Sequence, residues 1–338
     1  MPTIAKKVLI TGASGFIGSF LVEEALRQNM KVLVGVRASS NLNFLQQPEI
    51  SKIELNLSSP KELKRTFTGL NATHGGLDYV IHNAGATYAR TKEEFYEINY
   101  RGTQNLVNAL VACRLPLRKF IQISTLATYG PGDEATFSPI EVDDEEKPLS
   151  SYARSKQMAD QCVRSIKEFP YLILKPTAVF GPRDRDFLRL FKVINAGFEF
   201  SLNNRQMISL IYVKDLTRVA IGLLGCASSQ KTFLVSDGIS YSKGDLPNAI
   251  REVLNKRTVK INTPLNLFQA IVKVNEGLHA LTGRLPFLHS EKLQEMAATN
   301  WLCNSASVWK EIGRAPKYSL KEAVCETARW YKQNGWLS

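Results

Sequence analysis

The segment from Ile4 to Ile10, apolar but for Lys6 and Lys7, runs into Thr11-Gly12-Ala13-Ser14-Gly15-Phe16-Ile17-Gly18. A helical periodicity through Phe20, Leu21, Ala25 and Leu26 follows. Strand, glycine loop and helix in that order constrain the chain more than any other feature. Gly12 permits a tight turn, Gly15 removes a side chain where a pyrophosphate would approach the backbone, and Gly18 lets helix and strand pack closely. The helix N-terminus, with its free N–H groups and dipole, is where phosphates would sit. A ligand-free strand–helix turn could use the same glycines, so the rest of the chain has to decide.

Apolar strand-like runs recur at Val8-Ile10, Val32-Val36, Ile53-Leu55, Tyr79-His82, Phe120-Ile123 and Leu172-Leu174, with helical patterns between them, for instance Glu93 to Cys113 and Ser151 to Glu168. This alternation predicts an α/β fold, a doubly wound parallel sheet of the Rossmann type. Residues that follow the strands then gather along one edge of it. Beyond Pro176 the pattern changes. Segments from Phe187 and from Pro264 look helical, Ile208 to Val213 and Thr232 to Val235 look like strands rejoining the sheet, and Ser319 to Gln333 reads as an amphipathic helix. The expected organisation is a dinucleotide-binding domain over 1–176 with returning segments at about 206–238, and a smaller, mainly helical substrate lobe from 177–205 and 239–338.

Tyr152 and Lys156 stand four apart at the start of a predicted helix and share one face. A cation beside a phenol lowers its pKa from ~10 and makes a usable proton donor or acceptor. The strand Lys31 to Val36 ends at Arg37, where an acidic residue would hydrogen-bond a ribose 2′-OH and an Arg suits a 2′-phosphate. Ser39 and Ser40 add hydroxyl donors. This favours NADP and leaves NAD open.

Together these motifs resemble the extended short-chain dehydrogenase/reductase family, also called the NAD-dependent epimerase/dehydratase family, from Val8 to about Asp215. Gly12, Gly15 and Gly18 fit its G-x-x-G-x-x-G. Asp78 to Gly85, Asn99-Tyr100-Arg101-Gly102-Thr103, Phe120 to Thr125, Tyr129-Gly130, Lys175 to Arg183 and Ile211 to Asp215 follow in its order. The resemblance implies Tyr152 as general acid or base, Lys156 lowering its pKa and binding the nicotinamide ribose, and Thr125 hydrogen-bonding the substrate oxygen. Cofactor contacts are implied at Gly12, Ser14, Gly15, Phe16, Ile17, Gly18, Arg37, Asn56, Leu57, Asn83, Ala84, Gly85, Ser124, Tyr152, Lys156, Lys175, Pro176, Thr177 and Val179. Ser124 and Thr125 would also serve as strand-end caps, Asn99 as a buried helix–helix bond or a proton relay, and His82 as a satisfied core histidine.

Departures from the family pattern narrow the reaction. Leu126-Ala127 follows Thr125 where its 4,6-dehydratases carry Asp-Glu. Thr177-Ala178 stands where nucleotide-sugar members place an Asn, and Ile208 where they carry a diphosphate-binding Arg, with Arg205 near but out of register. A diphosphate without that cation forfeits charge-assisted hydrogen bonds. Leu265, Phe268, Ile271 and Val272, with Trp330-Tyr331, look more like members acting on hydrophobic alcohols and ketones, such as dihydroflavonol-reductase-like and 3β-hydroxysteroid-dehydrogenase-like proteins. The expectation is an NADP(H)-dependent oxidoreductase on a secondary alcohol or ketone. The alternatives are a nucleoside-diphosphate-sugar epimerase and a non-catalytic NADP-binding sensor or scaffold.

The net charge of +12 is carried by dispersed Lys and Arg with no basic run, which argues against nucleic acid and for solvated surface. Arg183, Arg185, Arg189 and Lys192 form the densest cluster. No apolar run reaches a membrane span, and an N-terminus that enters a strand at once leaves no room for a signal peptide. Five scattered cysteines without a C-x-x-C pair argue against a metal site or disulfide scaffold and for the cytoplasm. The acidic stretch Glu141 to Glu146 reads as a solvated loop. The partner expected is a small-molecule substrate. The resemblance also leaves a homodimer open, through the helices near Glu93 to Cys113 and Ser151 to Glu168, whose apolar faces equally suit packing on the sheet.

Overall fold

The computed structural model describes residues 5–74, 76–201, 205–262, 269–270, 272–274 and 289–338. Seven strands form one sheet: β1 (Lys7–Thr11), β2 (Lys31–Val36), β3 (Ser51–Glu54), β4 (Tyr79–His82), β5 (Lys119–Ile123), β6 (Tyr171–Pro176) and β11 (Lys231–Val235). Their order is β11-β6-β5-β4-β1-β2-β3, and the ladders from β3 across to β6 are parallel. Every residue of β4, β5 and β6 is buried, as expected where helices cover both faces of a parallel sheet.

The helices between the strands are α1 (Phe16–Arg27), α2 (Pro60–His74), α3 (Lys92–Phe95), α4 (Gly102–Ala112) and α5 (Ser151–Arg164). Leu9, Val80, Phe120 and Ile173 pack with Phe67, Leu106, Leu110 and Val163 in one apolar core. The helix expected from Glu93 to Cys113 is one rod with a widened middle: Thr91 caps α3 by accepting from Glu94 N–H, and a π-helical segment, Tyr96–Arg101, joins α3 to α4. The extra residue per turn there accompanies an Asn99 side chain turned into the protein, 1% exposed.

Winding reverses at β1, which has β2 on one side and β4 on the other. This is the switch point at which doubly wound sheets open a ligand crevice. Register fixes its floor. Thr11 pairs with His82, so Gly12 and Asn83 leave the sheet at the same level. On the other side Ile123 pairs with Leu174, which levels Ser124 with Lys175.

The chain divides into two compact units, Met1–Thr128 with Ser151–Lys175 and Thr217–Phe233, and Tyr129–Ser150 with Pro176–Leu216 and Leu234–Ser338. The second contains β7 (Ala178–Phe180), α6 (Asp186–Asn195), β8 (Phe198–Ser201), β9 (Met207–Ile208), β10 (Leu210–Tyr212), β12 (Tyr241–Ser242), α8 (Asp245–Leu254), β13 (Val259–Asn262), α9 (Ser290–Ala297), β14 (Asn300–Trp301), α10 (Ala306–Glu311) and α11 (Leu320–Gln333); α7 (Val213–Leu223) starts in it. One sequence expectation is corrected. Ile208 to Val213 does not rejoin the main sheet, because β11 occupies the edge beside β6. Instead β9 sits between β12 and β14, β10 pairs with β7, and Val213 already opens α7. Of the expected helix from Pro264, only 269–270 and 272–274 fall within the described residues, and Ile4 lies outside them. No helix among the described residues is long and apolar enough to cross a membrane.

The C-terminal amphipathic helix forms as the sequence predicts, with Ser319 and Glu322 closing a capping box on α11. Its Tyr331 is fully buried, donates to the carbonyl of Asp184 (2.7 Å), lies within 3.2 Å of that of Gly181, and meets Phe191 edge-on. Tyr331→Phe keeps the ring and removes the donor to the Asp184 carbonyl, while the Gly181 carbonyl keeps Asp184 N–H. It should lower unfolding stability by about 1–3 kcal/mol, read as a lower urea midpoint with an unchanged slope.

Candidate functional site

Two backbone constraints build the glycine loop. Gly12 has φ +64°, and a Cβ there would lie 2.7 Å from the backbone of Ala84. A Cβ on Gly18 would lie 2.7 Å from Ala13 Cα and strike the Gly12 carbonyl. The loop is thus pressed against both the following helix and the turn after β4. Gly15 N–H donates to the Gly12 carbonyl (3.1 Å), and α1 begins at Phe16 with no side chain capping its N-terminus. Ser14, Phe16 and Ile17 are half-buried around that opening and Gly15 is exposed. Asn83 Nδ2 reaches the Gly12 carbonyl at 3.4 Å, which ties the second turn to the first.

Beneath the turns lies a relay of polar groups. Ala84 N–H donates to Thr11 Oγ1 (3.1 Å), Thr11 Oγ1 lies 2.7 Å from His82 Nδ1, and His82 Nε2 lies 2.9 Å from Thr103 Oγ1. Thr103 gives its proton to the Asn99 carbonyl (2.6 Å). Its oxygen therefore accepts from Nε2–H, and Nδ1 accepts from Thr11. Burial and the nearby Lys156 cation hold His82 down to about pKa 3, so the imidazole stays neutral. Asn99 continues the line. It accepts from Ala86 N–H (2.7 Å) and donates to the Ala86 carbonyl (3.1 Å) and to Ser155 Oγ (2.9 Å).

Ser155 belongs to α5, the helix that carries Tyr152 and Lys156. Tyr152 is half-buried with its ring edge-on to Phe95 at 5.9 Å. Lys156 is buried and donates to the Ile123 carbonyl at the end of β5 (2.7 Å). Burial lowers its pKa to about 8, Asp160 pulls it up, and Lys175 pushes it down. The turn after β4 approaches the same ammonium: a Cβ on Gly85 would lie 3.0 Å from Asn99 Oδ1 and 3.8 Å from Lys156 Nζ. One turn beyond Lys156, the Asp160 carboxylate accepts from Ser124 Oγ (2.6 Å) and pairs with Lys175 Nζ (3.0 Å), both cation and anion fully buried. Lys175 also donates to Thr128 Oγ1 (2.6 Å). Asp160 escaped the sequence reading, although a second step of four along the Tyr152–Lys156 face signals it.

The remaining predicted residues fall in several places. Thr125 Oγ1 accepts from Ala127 N–H (3.2 Å) just past β5, which leaves its own proton for a ligand oxygen. Ser124 and Lys175, expected among the cofactor contacts, direct their side chains to Asp160. Arg37 is exposed past β2, in a turn closed by Ser40 Oγ on its N–H (2.9 Å). Asn56 closes a turn of its own with Ser58 and Glu62, and the Leu57 carbonyl accepts from Asn105 (2.9 Å). Pro176, Thr177 and Val179 belong to the second unit. There Thr177 Oγ1 donates to the Ser209 carbonyl (2.6 Å), and Val179 pairs with Ile211. Among the described residues no group of His, Cys, Asp or Glu is arranged to hold a metal ion.

A dinucleotide fits this edge of the sheet. The uncapped start of α1 offers N–H groups to phosphate, and the exposed Gly15 puts no side chain beside it. The His82 relay can be tested separately. Its folded pKa lies below the unfolded value, so between about pH 6.5 and pH 3 the unfolded chain takes a proton that the folded one refuses. Stability should fall on acidification by up to ~1.4 kcal/mol per pH unit from this residue. His82→Gln should flatten the fall between neutral pH and about pH 4, read from urea midpoints across that range; an equally steep fall would exclude His82 as its source.

A family model for the NAD dependent epimerase/dehydratase family matches residues 8–233. Over 345 residues the chain is 26% identical to a ceramide reductase of Caulobacter vibrioides, covering 100% of this chain and 98% of that protein. It is 27% identical over 347 residues to a UDP-glucose 4-epimerase of Vibrio cholerae, covering 97% and 96%. The structure of the Bordetella bronchiseptica enzyme WbmG in complex with NAD and UDP superposes with a TM-score of 0.77 at 19% identity, over 99% of this chain and 97% of that one. Glycine loop, sheet order and family match agree: the chain belongs to the NAD-dependent epimerase/dehydratase family.

Proposed function

We propose that the chain is an NADP(H)-dependent oxidoreductase that interconverts a secondary alcohol and a ketone, with Tyr152 as general acid and base. The observation that carries this reading is the buried Lys156 ammonium, fixed on the Ile123 carbonyl one helical turn from Tyr152. In the reducing direction Tyr152 Oη donates a proton to the carbonyl oxygen, and in the oxidising direction it takes the alcohol proton. The Lys156 charge favours the tyrosinate that each cycle produces. Thr125, whose oxygen is already engaged by Ala127 N–H, donates to the same substrate oxygen. The nicotinamide, when bound, supplies or accepts the hydride. Ser124, Asp160 and Lys175 act behind these groups as positioning residues. The five cysteines are free thiols, which supports a reducing compartment, and we propose the cytoplasm.

An apolar substrate is supported by the position where nucleotide-sugar members carry a diphosphate-binding cation. Ile208 there pairs with Tyr241 on one side and Trp301 on the other, and Thr177 hydrogen-bonds the chain's own backbone. The likeness to a ceramide reductase points the same way. The second reading, a nucleoside-diphosphate-sugar epimerase, is favoured by the likeness to the UDP-glucose 4-epimerase.

Tyr152→Phe should leave NADPH affinity within about twofold and reduce turnover by ~10²-fold or more; near-normal turnover on a ketone or alcohol panel would end the mechanism. Nucleotide sugars in the same panel separate the two readings. Arg37→Asp should weaken NADPH binding by about tenfold or more and favour NADH, since one charge-assisted contact is worth ~1.5–3 kcal/mol. Unchanged NADPH affinity by fluorescence titration would show that Arg37 does not meet the 2′-phosphate.

A further inference from the structure

The second unit contains a two-stranded parallel ribbon whose sides are reversed. Strand β8 pairs with β13 so that Phe198 faces Val259 and Phe200 faces Ile261. All four are exposed, at 45%, 63%, 57% and 37%. Glu199, between the two phenylalanines, is the buried residue at 7% exposure. Its carboxylate lies 3.8 Å from Lys260 Nζ and 3.9 Å from Arg251 Nε. A strand at a protein surface normally turns its apolar side inward. Here the Glu199 carboxylate is inward, with Arg251 half-buried and Lys260 exposed beside it, and two aromatic and two β-branched side chains meet solvent. Patches of this kind mark interaction surfaces.

Charge identifies the occupant. Lys256 and Arg257 lead directly into β13, and Val259 N–H binds the Gly197 carbonyl at the start of β8. The helix entering the ribbon, α6, buries Leu188, Phe191 and Ile194 and exposes Arg189 and Lys192. With Arg185 and Trp336 these two cations line a cleft of about 370 Å³, where the Arg185 guanidinium lies 5.2 Å from the Trp336 ring. Apolar side chains on the ribbon, cations in the chain that enters both of its strands, and a cleft beside the helix that leads into β8, lined by cations and an indole, match an interface of acyl chains, anionic headgroups and the layer between, where Trp partitions. A second protein copy carrying the same +12 charge would be repelled.

We propose that this face of the second unit binds the surface of an anionic lipid bilayer, with Phe198, Phe200, Val259 and Ile261 entering the acyl boundary and the Arg185–Arg189–Lys192 cleft holding lipid phosphate. The proposal is independent of the reaction assigned above. It gives the chain a peripheral membrane site, and the dispersed positive charge a use.

The test is co-sedimentation of the full chain with vesicles of phosphatidylcholine alone or mixed with about one third phosphatidylserine. Binding should need the anionic lipid, fall as salt rises, and drop about tenfold or more in the double variant Phe198→Ser/Phe200→Ser. Arg185→Glu/Arg189→Glu should lose the dependence on anionic lipid. Both variants change exposed side chains and should keep the melting temperature and NADPH affinity of the parent. Binding of millimolar inorganic phosphate that Arg185→Glu/Arg189→Glu abolishes, with no vesicle binding, would reduce the cleft to a free-phosphate site and overturn the membrane role. So would unchanged vesicle binding in the phenylalanine variant. A concentration-dependent dimer that this variant abolishes, without vesicle binding, would assign the face to a second copy instead.

Discussion

The site depends on a single buried ammonium. Holding Lys156 at about pKa 8 against an ordinary 10.5 corresponds to about 3 kcal/mol of unfavourable burial at neutral pH. The sign follows from proton counts. Below pH 8 both states carry the proton and the full cost is present. Between 8 and 10.5 the folded chain sheds a proton that the unfolded chain keeps, and the cost is relieved. A core optimised only for stability would place an apolar residue here. The Ile123 carbonyl accepts from the ammonium and the negative charge of Asp160 offsets part of the cost, while Lys175, paired with Asp160, adds to it.

Burial first, and the same ammonium second, keep His82 neutral. A protonated imidazole would face the Lys156 cation in the buried interior and would turn Nδ1 from the acceptor of the Thr11 hydroxyl into a second donor. As a neutral group His82 passes hydrogen bonding without charge from Thr11 at the glycine loop to Asn99 and on to Ser155 on α5. Dinucleotide loop, second turn and α5 are therefore held by one line of bonds. Every group in it has a partner, which is the condition under which a buried polar network rigidifies a site rather than weakening it.

Much of this was legible because each signal is local. A glycine needed at φ +64°, an i,i+4 pair on a helix, and continuous apolar runs on β4 to β6 depend on few neighbours, and the sequence reading places them correctly. What was missed depends on partners far along the chain. Asp160 is one such residue, since Ser124 and Lys175, at the ends of β5 and β6, meet its carboxylate from more than a dozen residues away. The π-helical segment at Tyr96–Arg101 has no periodicity signal of its own, since one extra residue leaves the apolar spacing of a helix nearly intact. Ile208 to Val213 reads as a single strand because Ser209 alone interrupts its apolar run. Only the pairing of β9 with β12 and β14, and of β10 with β7, shows that Ser209 divides it.

The second unit defeats sequence reading for a further reason. Binary patterning presumes that water is the only medium outside the core, so that an apolar residue reads as inward. Phe198-Glu199-Phe200 obeys the period of a strand but reverses its sides, and nothing in the triplet tells which residue is buried. The reversal becomes visible once Glu199 is seen against Lys260 and Arg251 while its two neighbours project outward. A carboxylate is costly to bury even when paired, and an exposed phenylalanine gains nothing from water. The arrangement has a physical rationale if the medium outside that ribbon is less polar than water and carries charge opposite to that of the surrounding lysines and arginines.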